Sequence, residues 1–308
     1  MDVTGLLINI INGLLWGVIL GAAATGLTLI WGVMKVVNIA HGETLLLGGY
    51  TVFVIFAAFQ LSPILGFIVS LMVGIVLGAF TYLILLHKLI GHVEVITLKV
   101  EMSTLLVTFA LSIILYNLFY FFFGGEPRGL GTWNIGVSSY ISLGFMNIRV
   151  NSLLAVFLSI LVVISLHLFL TRTLIGKGIL AVMQDSLAAS LVGINPIKVK
   201  FLTTILAFGV TAFSGVMILL HETAIVPDMA YKYAPIGFVT VVIGGLGSVL
   251  GSFLGGILIG LIYGLSRYIF SNVLNMRYPD PMALAIVFVI LILALLFKPQ
   301  GLFGGGRK

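Results

Sequence analysis

His41 and Glu43 stand two residues apart in the stretch Lys35-Val-Val-Asn-Ile-Ala-His-Gly-Glu43, between apolar runs at 5–33 and 44–60. An imidazole and a carboxylate at membrane depth suit proton or cation handling, and a charge there costs at least about 2.5–3.5 kcal/mol at a helix centre. Their company is thin: of the remaining ionisable residues, His167 alone falls well inside an apolar run, 151–171. An ion-coupled carrier needs several such groups, so the scarcity points to an energy source outside this chain. His167 lies near a basic loop and reads as an interfacial residue.

Enzyme chemistry finds no support. The chain has no cysteine, which removes disulfides, thiolate metal sites and cysteine nucleophiles. Gly176-Lys177-Gly178 lacks the upstream glycine and the following hydroxyl of a phosphate-binding loop, and His221-Glu222 lacks the second histidine of a zinc-protease helix. Gly245-Leu246-Gly247 sits in an apolar span without a βαβ context. No nucleophilic-serine elbow occurs. The sequence therefore predicts no metal and no cofactor bound by this chain.

The elements that must position these residues follow from composition. Of 308 residues, 61% are hydrophobic and 8% charged, with a mean hydropathy of +1.28. A soluble domain cannot hide that much apolar surface, and the net charge of +6 fits basic loops at a membrane surface better than a nucleic-acid face. The fold class is an all-α polytopic membrane protein in a single domain, 1–308. About eight transmembrane segments are expected, near 5–33, 44–60, 62–86, 103–123, 151–171, 201–220, 236–270 and 281–297. The first reads as an uncleaved span.

Lys and Arg set the orientation. The segment 171–200 carries Arg172, Lys177, Lys198 and Lys200; the tail adds Lys298, Arg307 and Lys308; the 87–102 loop adds Lys88 and Lys99. All three are placed in the cytoplasm, with 124–150 and 223–235 outside. The run 236–270 must then cross twice or not at all, so a broken or re-entrant element is expected at Gly244-Gly245-Leu246-Gly247-Ser248. With the break at Asn38, His41, Gly42 and Glu43, this gives paired interruptions in two halves, the trace of a pseudo-repeat with discontinuous helices along a substrate path. Gly13, Gly17 and Gly21, and again Gly247, Gly251 and Gly255, and Gly256, Gly260 and Gly264, recur every four residues, which predicts close helix packing and no ligand role.

Residues 179–192 show helical periodicity in Ile179, Val182, Met183, Leu187 and Leu191. Gly193 is a suitable C-cap and Asn195-Pro196 restarts a helix. The polar face, Gln184, Asp185, Ser186 and Ser190, carries no Lys or Arg. A lipid-surface helix prefers a basic face, so docking to a protein groove is favoured.

Gly-Lys-Gly…Ala-Val-Met-Gln-Asp-Ser-Leu-Ala-Ala-Ser-Leu-Val-Gly-Ile-Asn, 176–195, closely resembles the ATPase-contacting loop of branched-chain amino-acid ABC importer permeases of the LivH/LivM type. Residues 32–43, 242–248 and 298–304 resemble three further signatures of that family, in order along the chain. The aromatic run 116–123 departs from it. The resemblance implies a permease subunit without an ATPase of its own, translocating amino acids, chiefly leucine, isoleucine and valine, across a prokaryotic inner membrane. ATP and magnesium would be bound by two cytoplasmic ATP-binding subunits. Its other implied partners are a second, LivM-like permease subunit and an extracytoplasmic binding protein. Same-family transport of urea or short amides, and a self-contained channel or secondary carrier, are the alternatives. The coupling helix would present Val182, Met183, Asp185, Ser186, Leu187 and Leu191, turning at Gly193.

Overall fold

The computed structural model describes residues 3–91, 97–131, 133, 140–298 and 301–302. The tail residues Arg307 and Lys308, and most of the 298–304 signature, lie outside the described residues.

Long runs of Leu, Ile, Val and Ala can cross hydrocarbon only if every backbone N–H and C=O is paired within the segment, which the α-helix achieves. The chain accordingly forms helices α1 (Val3–Met34), α2 (His41–Ala57), α3 (Pro63–Phe80), α4 (His87–Ile90), α5 (Leu98–Phe123), α6 (Val150–Arg172), α7 (Leu174–Gln184), α8 (Ser186–Leu191), α9 (Pro196–Glu222), α10 (Met229–Gly244), α11 (Val249–Tyr268) and α12 (Pro279–Phe297). A π-helical turn, Thr81–Leu86, joins α3 to α4, and another, Ile269–Val273, extends α11. Among the described residues seven helices are long and apolar enough to cross a membrane, and α2 and α10 are shorter apolar helices. The all-α polytopic architecture is as expected. The apolar run 236–270 is not one interrupted helix: α10 begins earlier, at Met229, and doubles back into α11 across Gly245–Ser248, with Gly244 packed on Gly251 and Ser252.

Helix α9 lies in the middle, against α1, α2 and α3, while α12 packs on α11 at the rim. The tightest seam joins α1 to α11. A Cβ on Gly13 would stand 2.3 Å from the Gly260 carbonyl oxygen, and one on Gly17 2.7 Å from that of Gly256. The glycines every four residues thus face each other, backbone on backbone. Gly251 and Gly255 serve a different seam, against Gly244 and Thr240 of α10.

The bundle has two distinct ends. At one, Lys200 Nζ donates to the Ile90 carbonyl at 2.9 Å, Gly32 packs on Met183 and Gly247, and Leu302 N donates to Ile243 O at 2.8 Å. The described parts of all three basic segments therefore share one end. At the other, β1 (Arg128–Gly129) pairs antiparallel with β4 (Ala224–Ile225), and β2 (Tyr140–Ser142) with β3 (Asn147–Arg149). The described part of the stretch 124–150 carries β1, β2 and β3.

Candidate functional site

The break between α1 and α2 is a piece of non-helical chain inside the bundle. Lys35 takes a left-handed φ of +55° and reverses the direction of α1. Gly32 packs beside Gly247, where α10 turns into α11, yet Gly42 packs against Ala230 and Ala234. Ala230 lies fourteen residues back along α10 from Gly244, about 21 Å at the helical rise of roughly 1.5 Å per residue. Residues 35–38 are non-helical and 39–40 form a turn, and together they carry the chain from the Gly247 end of α10 to its Ala230 end. Helix α2 therefore starts deep within the protein.

Non-helical backbone at such depth needs partners from neighbouring side chains. Thr108 of α5 supplies them: its Oγ1 accepts from Ile39 N at 3.3 Å and lies 3.4 Å from the Val37 carbonyl. Asn38 Oδ1 accepts from Ala40 N at 3.1 Å, and Thr44 Oγ1 donates to Ala40 O at 2.7 Å. One turn up α5, Ser112 Oγ donates to Glu43 Oε1 at 2.7 Å. Asn38, His41 and Glu43 are all buried. Among the described residues Glu43 Oε2, His41 Nε2 and Tyr50 Oη nonetheless have no hydrogen-bond partner. Buried polar atoms without partners are uncommon and call for a reason; the two at the break, on His41 and Glu43, mark a place where a transient polar partner can be received. Gly237 faces the His41 ring, 3.0 Å from where its own Cβ would be. Above the Glu43–Ser112 contact lies an apolar cavity of about 380 Å³ between α2, α3 and α5, lined by Leu47, Tyr50, Leu115 and Phe119 among others.

The second predicted break sits elsewhere. Gly245 and Gly247 take φ of +104° and +89°, and Ser248 Oγ caps α11 by accepting from Gly251 N at 3.0 Å. This turn packs at the basic end, on Gly32, Met183 and Gly301. The two interruptions thus bear on different stretches of α10, the first along its side near Ala230–Gly237 and the second at its end.

The segment expected to be one helix over 179–192 is two. Asp185 takes extended backbone and its Oδ1 accepts from Leu187 N and Ala188 N, both at 2.9 Å, as the N-cap of α8. A short carboxylate that can satisfy two free N–H groups ends one helix and starts another; the periodicity alone carried no sign of it. Asp185 is accordingly committed to its own backbone. The apolar stripe also divides. Ile179 and Val182 are buried and Met183 packs on Gly32 and Gly247, whereas Leu187, Leu191 and Val192 are 52%, 81% and 76% exposed. Val182 and Met183 hold the segment to the bundle, while Leu174 and Ile175 at the start of α7 and Leu187 and Leu191 of α8 stay exposed. Gly193, φ +87°, closes α8, and Asn195 Oδ1 caps α9 through Ile197 N and Lys198 N.

Sequence reading missed one cluster. At the β1–β4 end, a polar cavity of about 390 Å³ gathers Arg149, His221, Glu222, Lys232, Arg267 and Asp280 around Trp16 and Leu284. Lys232 Nζ pairs with Glu222 Oε1 at 3.0 Å, and Arg267 Nε with Asp280 Oδ1 at 2.7 Å. Its members come from five helices and β3; the weak signal was that each charge stands at an end of an apolar run.

A family model described as "Branched-chain amino acid transport system / permease component" matches residues 9–295. The chain is 28% identical over 301 residues to the Escherichia coli K12 "High-affinity branched-chain amino acid transport system permease protein LivH", covering 95% of this chain and 94% of that protein. It is 28% identical over 305 residues to the permease protein BraD of Pseudomonas aeruginosa, covering 96% and 95%. Against the "Probable branched-chain amino acid transport permease protein LivH" of Methanocaldococcus jannaschii it is 27% identical over 286 residues, covering 91% and 87%. No solved structure matches.

Proposed function

The chain belongs to the branched-chain amino acid transport system permease family, and on that premise we propose that it is the membrane subunit of an ATP-driven importer for leucine, isoleucine and valine. Its partners in this reading are a second permease subunit, two cytoplasmic ATP-binding subunits and an extracytoplasmic binding protein that delivers the substrate. The chain itself holds no cofactor. The basic end faces the cytoplasm of a prokaryotic cell, because Lys and Arg accumulate on that side, and the β1–β4 end faces outward.

The observation that carries this reading is the α7–α8 segment. Its inner half is keyed into the bundle through Met183 on Gly32 and Gly247, at the two turns that end α1 and α10. Its outer half leaves Leu187, Leu191 and Val192 uncovered. An apolar tip on a rigid mount suits a groove in a soluble motor subunit. Motion of that subunit would then reach both turns directly, and through α1 the non-helical chain at 35–40. The polar atoms of Glu43 and His41 would meet the passing solute and its water, with the apolar cavity beside them accommodating an aliphatic side chain.

The test is reconstitution of the chain with its three kinds of partner in lipid vesicles. Uptake of L-leucine that needs both ATP and the binding protein supports the reading. Uptake that proceeds without ATP would point to a self-contained channel or carrier.

A further inference from the structure

The polar cavity at the β1–β4 end holds three cationic side chains, Arg149, Lys232 and Arg267, against two carboxylates, Glu222 and Asp280. Its internal pairing is one-sided. Lys232 Nζ and the Tyr233 hydroxyl both donate to Glu222 Oε1. The Tyr263 hydroxyl and Arg267 Nε both donate to Asp280 Oδ1, each at 2.7 Å. Each carboxylate thus spends one oxygen on the protein, and among the described residues Glu222 Oε2 and Asp280 Oδ2 accept nothing. Arg149 is the complement: among the described residues its guanidinium makes no hydrogen bond or ion pair, and the His221 Nδ1 nearby has no partner either. The paired side chains are 27–53% exposed, so the free oxygens and the Arg149 guanidinium stand open to whatever enters the cavity.

We propose that this cavity is a receiving subsite for the head group of a free α-amino acid. The Arg149 guanidinium would take the carboxylate in the two-pronged manner open to a planar fork of donors, and the free oxygens of Glu222 and Asp280 would accept from the ammonium. Trp16, Gly13, Gly264 and Leu284 line the same space and give the side chain an apolar wall. A volume of about 390 Å³ falls in the range of roughly 300–1,000 Å³ usual for small-ligand pockets. The subsite selects the zwitterion and not the side chain, so it would serve several amino acids alike. This inference rests on the permease reading for why an amino acid is presented at this end.

Equilibrium binding of tritiated L-leucine to the full chain in lipid nanodiscs tests it. Competition uses 4-methylpentanoate, which lacks the ammonium, and 3-methylbutylamine, which lacks the carboxylate. Both are expected to bind at least tenfold more weakly than leucine. Arg149→Gln should weaken leucine and the acid at least tenfold and leave the amine unchanged; Asp280→Asn should weaken leucine and the amine and spare the acid. Arg149→Lys, which keeps the charge but loses the fork, should fall between. Among the described residues Arg149 has no side-chain partner to lose, so its variants are expected to stay folded, and a single symmetric size-exclusion peak checks this. Unchanged leucine affinity in both Arg149→Gln and Asp280→Asn, or a single-headed analogue binding as tightly as leucine, overturns the subsite. So does a result in which these variants lose only capture of the binding protein, which would make the cluster a docking contact. Vesicle uptake separates the two failures. If ATP-dependent leucine uptake is normal in Arg149→Gln, the subsite falls and the permease reading stands; if the unaltered complex takes up no leucine, the permease reading falls.

Discussion

Ser112 Oγ donates to Glu43 Oε1 at 2.7 Å, joining α5 to the first turn of a helix that begins inside the bundle. Both residues are buried, and Ser112 is the side chain that satisfies one oxygen of the carboxylate while the other has no partner among the described residues. Ser112→Ala should therefore lower stability by about 1–3 kcal/mol, the cost of leaving a buried acceptor unmet. Glu43→Gln keeps an acceptor oxygen for Ser112 and should cost less than that. Thermal unfolding of the two variants in detergent checks the order, and equal losses would show that the hydrogen bond is not what the carboxylate contributes.

The α1–α11 seam makes a sharper demand. A Cβ on Gly260 would lie 2.2 Å from the Gly13 carbonyl oxygen and 2.5 Å from the Gly17 Cα, backbone atoms that no rotamer change can move. Gly260→Ala should cost about 1–3 kcal/mol through overpacking, and Gly260→Leu should abolish folded protein. Gly251→Leu meets the Gly244 carbonyl in the same way and should behave alike on the α10 seam. Yield and melting temperature after extraction are the readouts. A Gly260→Leu chain that melts like the unaltered one would show that the helices can separate there at no cost.

Much of this was legible because it is local. Glycines four apart say that one helix face is bare, and the structure adds only which face it meets. Asn195-Pro196 announced the start of α9 because a capping amide before an N1 proline suits little else. The division at Asp185 was hidden, since an apolar spacing reads the same whether a capping carboxylate breaks the helix or not. The packing of Met183 depends on Gly32 and Gly247, more than 140 and 60 residues away in sequence, and no local pattern encodes that. The same holds for Arg149, Glu222 and Asp280, which lie far apart in the sequence and meet only at one cavity. The break at 35–43 was visible as an interruption, but its depth came only from what Gly42 packs on.

Gly193 isolates a conformational effect. Its φ is +87°, and a Cβ there would meet nothing within 4 Å, so a substitution is opposed by the backbone alone. An L-residue held left-handed loses roughly 1–2 kcal/mol. Gly193→Val should therefore loosen the turn made by Gly193 N to Ser190 O and Ile194 N to Ala189 O without disturbing the bundle. Gly193→Asn, better tolerated in that region, should lose less. The expected pattern is normal melting with protease sensitivity raised at 186–194 in Gly193→Val. A raised sensitivity elsewhere in the chain would show that the turn braces more than α8.

Leu187 and Ile179 give the coupling reading its strictest test, because the two lie on one segment with opposite exposure. Ile179 is fully buried against the bundle, while Leu187 is half exposed on α8. Ile179→Ala should destabilise the permease itself by about 2–5 kcal/mol, the range for emptying a packed core position. Leu187→Ala should leave melting unchanged and instead weaken attachment of the ATP-binding subunit by roughly 1–3 kcal/mol, as truncating an interface anchor does. Transport and substrate-stimulated ATP hydrolysis should fall together in Leu187→Ala. A crosslinker placed at position 190, which is exposed, should capture a co-expressed ATP-binding subunit, and the yield should drop in Leu187→Ala. Labelling of position 190 from the lipid phase, with no capture of the soluble subunit, would mean that the apolar tip rests on the membrane and that coupling runs through another surface.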